Sequence, residues 1–261
     1  MPRITSADNP RVKHAIRLVA SSRERAKTGR CVLEGEHSLR VFRERHGAPE
    51  TVIVVESAME KPALRTVLAR IPERDILIVP ESVWADFAQI PVAIGVVAVV
   101  RAPTPTFRRA AGFCLLLEDV QDPGNVGSIL RSAAAAGVAQ VFLSVGSAFA
   151  WSPKVLRSAQ GAHFHLEIFE SVDLPPWAGA YDGVLIAAVA RGGESVFAAD
   201  CRGRIALAIG NEGSGLSEAV LRLAHKKVTI PMPGGFESLN AAAAAAVCLF
   251  ECVRQRGGSA A

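Results

Sequence analysis

The sequence predicts an α/β protein built from two units, each with a sheet covered by helices. Short apolar runs alternate with segments of helical propensity along the chain, which is the order that βαβ units produce. In the second half most of these runs are apolar throughout, as in parallel strands that are buried on both faces. A Pro- and Thr-rich stretch with few apolar residues, 101–110 (RAPTPTFRRA), lies between the two halves and predicts a linker.

Composition places the chain among compact globular proteins. It has 261 residues, of which 50% are hydrophobic and 21% charged, so it is long enough for two domains and too apolar for general disorder. No apolar run approaches the length of a membrane span, and the first residues lack the apolar core of a secretion signal. We therefore expect a cytoplasmic protein with no membrane partner. The five cysteines lack the paired spacing of a zinc site, and we expect no metal.

The first unit begins with a basic helix. Asn9 is a favourable N-cap, Pro10 suits the first helical position, and the apolar residues after them recur at helical spacing. Basic residues continue beyond this helix through a predicted polar turn. The remaining elements predicted for this unit are strands at 31–33, 51–55, 76–79 and 92–100 and helices at 35–45, 62–69 and 82–87.

Positive charge is concentrated at the start of the chain. Residues 1–110 hold 18 Lys and Arg against 12 Asp and Glu, whereas residues 111–261 carry a net charge of −2. The whole excess of the first half, +6, is already present in residues 1–30. Such a cluster indicates a polyanionic partner, with nucleic acid the first candidate, although a solvated basic helix has the same composition. The candidate RNA-binding residues here are Arg11, Lys13, Arg17, Arg23, Arg25 and Lys27.

The second unit opens on a strand, a glycine-containing loop and a helix. The apolar run at 113–117 predicts the strand, and the helix is predicted at 128–136, ending before Gly137. Backbone N–H groups and the helix dipole can meet a polar ligand at such a junction. Asn125 and Arg131 lie less than two helical turns apart and can address one site. The alternative is an ordinary strand-to-helix turn with a surface arginine.

Two more polar glycine loops follow predicted strands in this unit. The first, 210–216 (GNEGSGL), lets a ligand lie against bare backbone because glycine has no Cβ. The second, 232–240, contains Ser238 as a natural N-cap for the alanine-rich helix after it. In parallel α/β sheets ligands bind at the carboxyl edge, where such loops meet. The other predicted elements are strands at 140–145, 164–168, 184–189, 205–209 and 228–231, and helices that begin at 153 and span 218–223 and 239–255.

Several common sites lack their sequence patterns. Neither half has GxGxxG after its first strand, and GxxxxGK[ST] is absent, which argues against an ordinary nucleotide-binding enzyme with a Rossmann sheet. His163 and His165 are two residues apart at the predicted strand 164–168 and would share a face, but no third ligand accompanies them at metal spacing. The two histidines are therefore expected in the core or at the sheet edge rather than on a metal.

Three motifs of the second half are 125–131 (NVGSILR), 210–216 (GNEGSGL), and 230–232 (IPM) with 238–240 (SLN). They resemble the motifs of the SpoU (TrmH-like) RNA ribose 2′-O-methyltransferases, in the SPOUT superfamily. Their order and separation agree with that family over roughly residues 111–255. Residues 4–37 also resemble, more loosely, the substrate-binding domain of rRNA-directed members, which has a ribosomal-protein L30-like fold.

The resemblance implies a fold and an activity. The fold is a C-terminal SPOUT α/β knot, trefoil-knotted with a mostly parallel sheet, at residues 105–261, after an N-terminal L30-like RNA-binding domain at residues 1–104. The activity is methyl transfer from S-adenosyl-L-methionine to a ribose 2′-hydroxyl by a homodimer with active sites at its interface. The N-terminal domain favours rRNA as substrate. A tRNA substrate, or a non-catalytic RNA-binding or ribosome-assembly protein with the same fold, is the alternative.

The resemblance also implies roles for individual residues. The resemblance assigns Arg131 the activation of the ribose hydroxyl, and the alternative is that it anchors a phosphate. Because arginine stays protonated in proteins, we expect it to act as a cation that stabilises the developing 2′-alkoxide. Glu212 would either join the catalytic surface or hold a loop through backbone N–H groups. A Gly210→Val change is expected to obstruct the pocket and leave the fold largely intact. The implied sets are Gly210, Ile230, Met232, Ser238 and Leu239 for the cofactor, Arg131, Asn125, Glu212, Ser238 and Asn240 for catalysis, and Arg157 for RNA phosphate.

Overall fold

The computed structural model describes residues 1–87 and 90–257, which divide into two compact units. The first unit comprises Met1–Pro103 together with Trp151–Phe164, and the second comprises Thr104–Ala150 together with His165–Ala261. The predicted linker, 101–110, contains the first boundary. A segment from the middle of the chain, including the helix predicted to begin at 153, therefore packs in the first unit.

The sheet of the first unit has four strands in the order β1-β4-β2-β3. β4 is antiparallel to both of its neighbours, while β2 and β3 are parallel. The strands are β1 (Arg30–Glu34), β2 (Thr51–Val55), β3 (Ile76–Val79) and β4 (Val96–Arg101), and the helices of this unit are α1 (Pro10–Ala20), α2 (Ser22–Thr28), α3 (Gly35–His46), α4 (Pro62–Leu68), α5 (Glu81–Trp84) and α7 (Pro153–Ala159).

The start of the first unit confirms one predicted helix and corrects a predicted turn. The Asn9 side chain accepts hydrogen bonds at the N-terminus of α1, as expected. The polar stretch after it is not a turn but the helix α2, because Ser21 caps its N-terminus and Gly29, at φ 61°, ends it in the left-handed conformation. The last strand begins at Val96 rather than at 92, since Gly95 has a φ of 75° that a strand does not allow.

The second unit contains a seven-stranded sheet in the order β7-β6-β5-β10-β8-β11-β9. Every pairing is parallel, which confirms the prediction from the continuous apolar runs. The strands are β5 (Phe113–Leu117), β6 (Gln140–Leu143), β7 (Glu167–Phe169), β8 (Val184–Ala188), β9 (Glu194–Ser195), β10 (Ile205–Ile209) and β11 (Lys226–Thr229), and the helices are α6 (Pro123–Ala135), α8 (Leu174–Gly179), α9 (Glu218–Leu223) and α10 (Ala241–Gln255).

The central strands β5 and β10 are buried along their whole length, and the core forms around them. On one face Leu116, Ala206 and Leu185 pack with Phe142 and with residues of α8 and α9. Helices α6 and α10 pack against each other, and α10 also contacts β10. The loops that follow the strands therefore emerge together at the carboxyl edge of a rigid sheet.

Two helices of this unit start at other residues than predicted. α6 begins five residues early, at Pro123, because the Asp122 side chain accepts the N–H of Asn125 (2.9 Å) as an N-cap. Its end agrees with the prediction, with Gly137 at φ 75°. α10 begins at Ala241, and its N-cap is Asn240 rather than Ser238.

The histidine pair is not on a strand. Residues Ala162–His165 form a 3₁₀ turn, and β7 begins only at Glu167. His163 is buried and His165 is exposed, so the two side chains do not share a face.

In the described ranges, 1–87 and 90–257, no helix is both long and apolar enough to cross a membrane.

Glu170 at the end of β7 should make stability depend on pH. Burial raises its pKa to about 7, although the N–H of Ala150 donates to its Oε1 (2.7 Å) and opposes the rise. This pKa lies above that of the unfolded chain. The folded protein therefore loses stability as the pH rises from about 4.5 to 7, and the whole loss is present above pH 7. Glu170→Gln keeps an oxygen acceptor and removes that loss. We expect it to stabilise the fold by about 1–3 kcal/mol at pH 8 and to have little effect at pH 4, in denaturant titrations. Equal effects at both pH values would contradict this.

Candidate functional site

A cavity of about 560 Å³ lies at the carboxyl ends of β8, β10 and β11. Its size suits a cofactor or another small ligand, and its position is the edge that the sequence predicts for a ligand site. Ala188, Ile209 and Val228 from the three strands form part of its wall, and the first turns of α10 close another side. All five residues predicted for the cofactor line it, namely Gly210, Ile230, Met232, Ser238 and Leu239.

The glycine loop after β10 is folded tightly against its own start. Asn211 and Gly215 exchange two backbone hydrogen bonds of 3.0 Å. The Asn211 side chain accepts the N–H of Gly213 (2.9 Å) and donates to the carbonyl of Asp119 (2.8 Å). A Cβ at Gly210 would overlap backbone atoms of Gly215. The expectation that Gly210→Val leaves the fold largely intact is therefore wrong, because the larger side chain would displace this loop as well as obstruct the cavity.

A chain of side-chain hydrogen bonds links the three predicted motifs. Asn125 Nδ2 donates to Glu212 Oε1 (2.8 Å), and Asn240 Nδ2 donates to Asn125 Oδ1 (2.9 Å). Asn240 Oδ1 then accepts the N–H groups of Ala242 (2.9 Å) and Ala243 (3.3 Å) at the start of α10. Because a carboxylate only accepts, it orients the Asn125 amide, which in turn orients Asn240. The network therefore joins the start of α6, the glycine loop and the start of α10.

Glu212 is the acceptor at the end of this network. Its partial loss of hydration alone would raise its pKa, but hydrogen bonds from Asn125 and from the N–H groups of Gln121 and Asp122 (both 3.4 Å) outweigh that effect, so the pKa is below its usual value. A carboxylate held in its charged form by several donors is a weak general base. This geometry favours the loop-holding role for Glu212.

Arg131 is the one predicted catalytic residue that lies apart from the others. Glu212, Ser238 and Asn240 line the cavity and Asn125 bonds to two of them, but Arg131 does not line it. Six residues along an α-helix correspond to about 240° of rotation beyond a full turn, so Arg131 leaves α6 on a different side from Asn125. Its side chain is exposed.

Sequence reasoning missed two acidic residues and one arginine. Glu118, 8% exposed at the end of β5, accepts both the N–H and the hydroxyl of Ser217 (2.7 Å each) and so holds the N-cap of α9. Arg191 and Glu237 both line the cavity. The available signal was position, because Glu118 follows one strand directly and Arg191 follows another within a few residues at the carboxyl edge.

The first unit carries the predicted basic residues, and one of them is buried. Arg25 is 7% exposed, and its Nη1 donates to the carbonyls of Leu18 (2.6 Å) and Val19 (3.1 Å) at the end of α1. Burial lowers its pKa. We therefore remove Arg25 from the RNA-binding residues, because its guanidinium satisfies backbone acceptors inside the unit.

Arg11 is also engaged within the first unit. Its Nε donates to Thr51 Oγ1 (3.0 Å), and its Nη1 donates to the carbonyl of Arg74 (2.7 Å). These bonds tie α1 to β2 and to the turn before β3, so Arg11 supports the fold. We call the exposed basic residues of the two helices the basic face; they are Lys13, Arg17, Arg23 and Lys27.

Arg157 pairs with a buried carboxylate. On α7, its Nε and Nη2 donate to the two carboxylate oxygens of Glu34 (3.0 and 2.9 Å), and the Glu34 side chain is only 6% exposed. A bidentate pair of this kind compensates the burial of the acid. We therefore assign Arg157 a structural role rather than the predicted contact with RNA phosphate.

A parallel sheet with a cavity at its carboxyl edge, and a polar network that joins three loops around it, define an α/β domain built to hold a small ligand. Residues 112–250 match the model of the SpoU rRNA Methylase family. The chain belongs to this family.

Relatives and solved structures match along almost the whole chain. An uncharacterized tRNA/rRNA methyltransferase of Synechocystis sp. is 35% identical, over 97% of this chain and 94% of its own. The 23S rRNA (guanosine(2553)-2′-O)-methyltransferase RlmP of Bacillus subtilis is 31% identical, over 96% of this chain and 98% of its own. The SpoU methyltransferase AviRb of Streptomyces viridochromogenes, solved in complex with the cofactor AdoMet, superimposes with a TM-score of 0.79 at 27% identity, over 95% and 98%.

Proposed function

We propose that this protein transfers a methyl group from S-adenosyl-L-methionine to a ribose 2′-hydroxyl of ribosomal RNA. The observation that carries the proposal is the cavity, which brings all five residues expected to hold the cofactor to one place. Membership of the SpoU family and the names of the relatives support the same activity. A tRNA substrate is the second candidate, because the name of one relative includes it.

The cavity wall has the chemistry that this cofactor requires. Val228, Ile230 and Leu239 supply apolar surface for an adenine ring, and Gly210, Gly213 and Gly215 bring backbone without side chains to the cavity wall. When bound, the cofactor supplies an activated methyl group on a sulfonium. The remaining work is to position the 2′-hydroxyl in line with that group, and we propose that no metal takes part.

We propose a positioning role for Asn125, Glu212 and Asn240 and a direct role for Arg131. The hydrogen-bonded network holds the start of α10 beside the cavity. Arg131 lies outside the cavity of its own chain, which supports a homodimer in which the arginine of one protomer serves the cavity of the other. Its cation would favour a developing alkoxide over a neutral hydroxyl.

The exposed side of α10 suits the proposed homodimer. Ala243, Val247 and Phe250 recur at i, i+4 and i+7, and Phe250 is 48% exposed. A helix with an exposed apolar stripe is suited to packing against a second copy. We also propose that this copy buries the stripe.

We propose an L30-like RNA-binding domain at residues 1–104, joined by the packed segment 151–164, and a methyltransferase domain over 105–261. The position of β10 between β5 and β8, with β11 beyond β8 and α10 returning to α6, is compatible with a trefoil knot. We also propose a cytoplasmic location, with which an rRNA substrate is consistent.

Cofactor binding is the first test. We expect calorimetry with EDTA present to detect binding of S-adenosyl-L-methionine to the full chain. Ala244→Phe, on the cavity side of α10, should reduce the affinity at least tenfold, because the ring fills space that the ligand needs. Ala63→Phe, at an exposed position of α4, is the matched control and should bind normally. No binding at millimolar cofactor, or binding that EDTA abolishes, would contradict the proposal.

Salt-dependent RNA binding tests the basic face. Replacing Arg17, Arg23 and Lys27 together with glutamine should weaken rRNA binding and flatten the dependence of log affinity on log salt by about two to three units, since each lost phosphate contact removes nearly one. Cofactor affinity should not change. The control removes three exposed charges elsewhere in the same unit, from Arg40, Arg65 and Arg70. Equal slopes of log affinity against log salt for the two variants would mean that the basic face is a solvated surface that does not contact RNA.

A further inference from the structure

The cavity has an unassigned pair of opposite charges. Of the lining residues that the structure describes, the charged ones are Arg191, Glu212 and Glu237. The hydrogen-bonded network already engages Glu212. Arg191 and Glu237 face each other instead, with Arg191 Nη2 at 3.6 Å from Glu237 Oε1.

This pair is poorly explained as a stabilising contact. The two side chains are 78% and 87% exposed, and ion pairs in solvent contribute little to stability. Their separation also exceeds the 2.7–2.9 Å of a strong charge-assisted hydrogen bond. Arg191 follows β8, whereas Glu237 belongs to the loop between β11 and α10, so two separate segments bring opposite charges to one cavity. Each side chain can therefore release the other and bind a charged group of a ligand at a small cost in free energy.

We infer that Arg191 and Glu237 recognise the zwitterionic amino-acid end of the cofactor. Arg191 takes the α-carboxylate, for which the planar guanidinium offers a bidentate fork, and Glu237 takes the α-ammonium. Each of the two side chains then gains a partner from the ligand as it gives up the other, so neither charge is left unpaired. The inference rests on the proposed function. It adds the two side chains by which the protein would distinguish the whole cofactor from its nucleoside part.

The test compares two ligands that share the adenosine thioether. S-adenosylhomocysteine has the amino-acid end, and 5′-methylthioadenosine lacks it. By calorimetry on the full chain, Arg191→Gln and Glu237→Gln should each weaken S-adenosylhomocysteine binding by about ten- to a hundredfold, in line with a charge-assisted contact, and leave 5′-methylthioadenosine within about twofold. The matched control is Arg202→Gln, which removes the arginine of another exposed ion pair, with Asp200 and outside the cavity. It should change neither affinity.

A charge-swapped variant separates recognition from a structural role. The double substitution Arg191→Glu with Glu237→Arg restores the ion pair. It also places a negative charge beside the α-carboxylate and a positive charge beside the α-ammonium of the ligand, so affinity for S-adenosylhomocysteine should stay low. Recovery in the swapped variant, or equal losses for both ligands in the single variants, would overturn the inference. Unchanged cofactor affinity with weakened RNA binding would overturn it too. If the parent protein binds neither ligand, the proposed function itself fails.

Discussion

Replacing Arg131 with alanine is expected to lower the single-turnover rate of methyl transfer by about a hundredfold or more, the usual scale for losing a group that stabilises developing charge. Cofactor affinity should stay the same, because Arg131 does not line the cavity. Arg131→Lys should recover the rate only in part, since an ammonium cannot reproduce the planar fork of donors. The measurement is single-turnover methylation at saturating RNA, with calorimetry of the cofactor in parallel.

Two outcomes would change the role of Arg131. A rate within about threefold of the parent, which is less than 1 kcal/mol of transition-state stabilisation, would remove it from the chemical step. If RNA affinity falls sharply while the saturated rate survives, Arg131 is a phosphate anchor, the other role that the sequence allows.

Mixed dimers test whether Arg131 serves the other protomer. When the Arg131→Ala chain is mixed equally with the Ala244→Phe chain, half of the dimers contain one of each. If the arginine acts across the interface, each mixed dimer keeps one complete site, and activity returns to about a quarter of the parent value. If it acts within its own chain, mixing restores nothing.

Asn125→Asp is expected to lower both the stability of the fold and the affinity for the cofactor. The change removes the donor to Glu212 and brings two carboxylates together at a contact that measures 2.8 Å. We expect a loss of about 1–3 kcal/mol in the free energy of unfolding, the scale for an unsatisfied polar partner, and weaker cofactor binding because the start of α10 is no longer held. Thermal melts and calorimetry give the two measurements. Ser128→Asp, an exposed position on α6, controls for the added charge.

A second substitution makes this result specific. Glu212→Gln in the Asn125→Asp background restores a donor opposite the new carboxylate, so both stability and cofactor affinity should recover. The coupling between the two positions should exceed about 1 kcal/mol in a double-mutant cycle. Strictly additive effects would mean that the hydrogen bond does not hold the loops together.

Local patterns were sufficient for most elements and for the sheet edge at which the polar loops meet. Strands at 51–55, 76–79 and 205–209 have the predicted bounds, because continuous apolar runs between polar turns specify a buried strand regardless of its neighbours. The three polar loops after strands likewise predicted one shared edge, since every strand of a parallel sheet ends on the same side. Gly210, Ile230 and Leu239 meet there for that reason.

Contacts between distant residues decided the rest. Nothing in the sequence near Arg25 distinguishes it from Arg23. In the folded chain Arg25 is buried and donates to the carbonyls of Leu18 and Val19, whereas Arg23 is exposed. Ser238 and Asn240 are both good N-caps, and Asn240 takes that position while it also bonds to Asn125, 115 residues away. Such choices depend on which donors and acceptors the folded chain brings within hydrogen-bonding distance, and only the tertiary structure determines that.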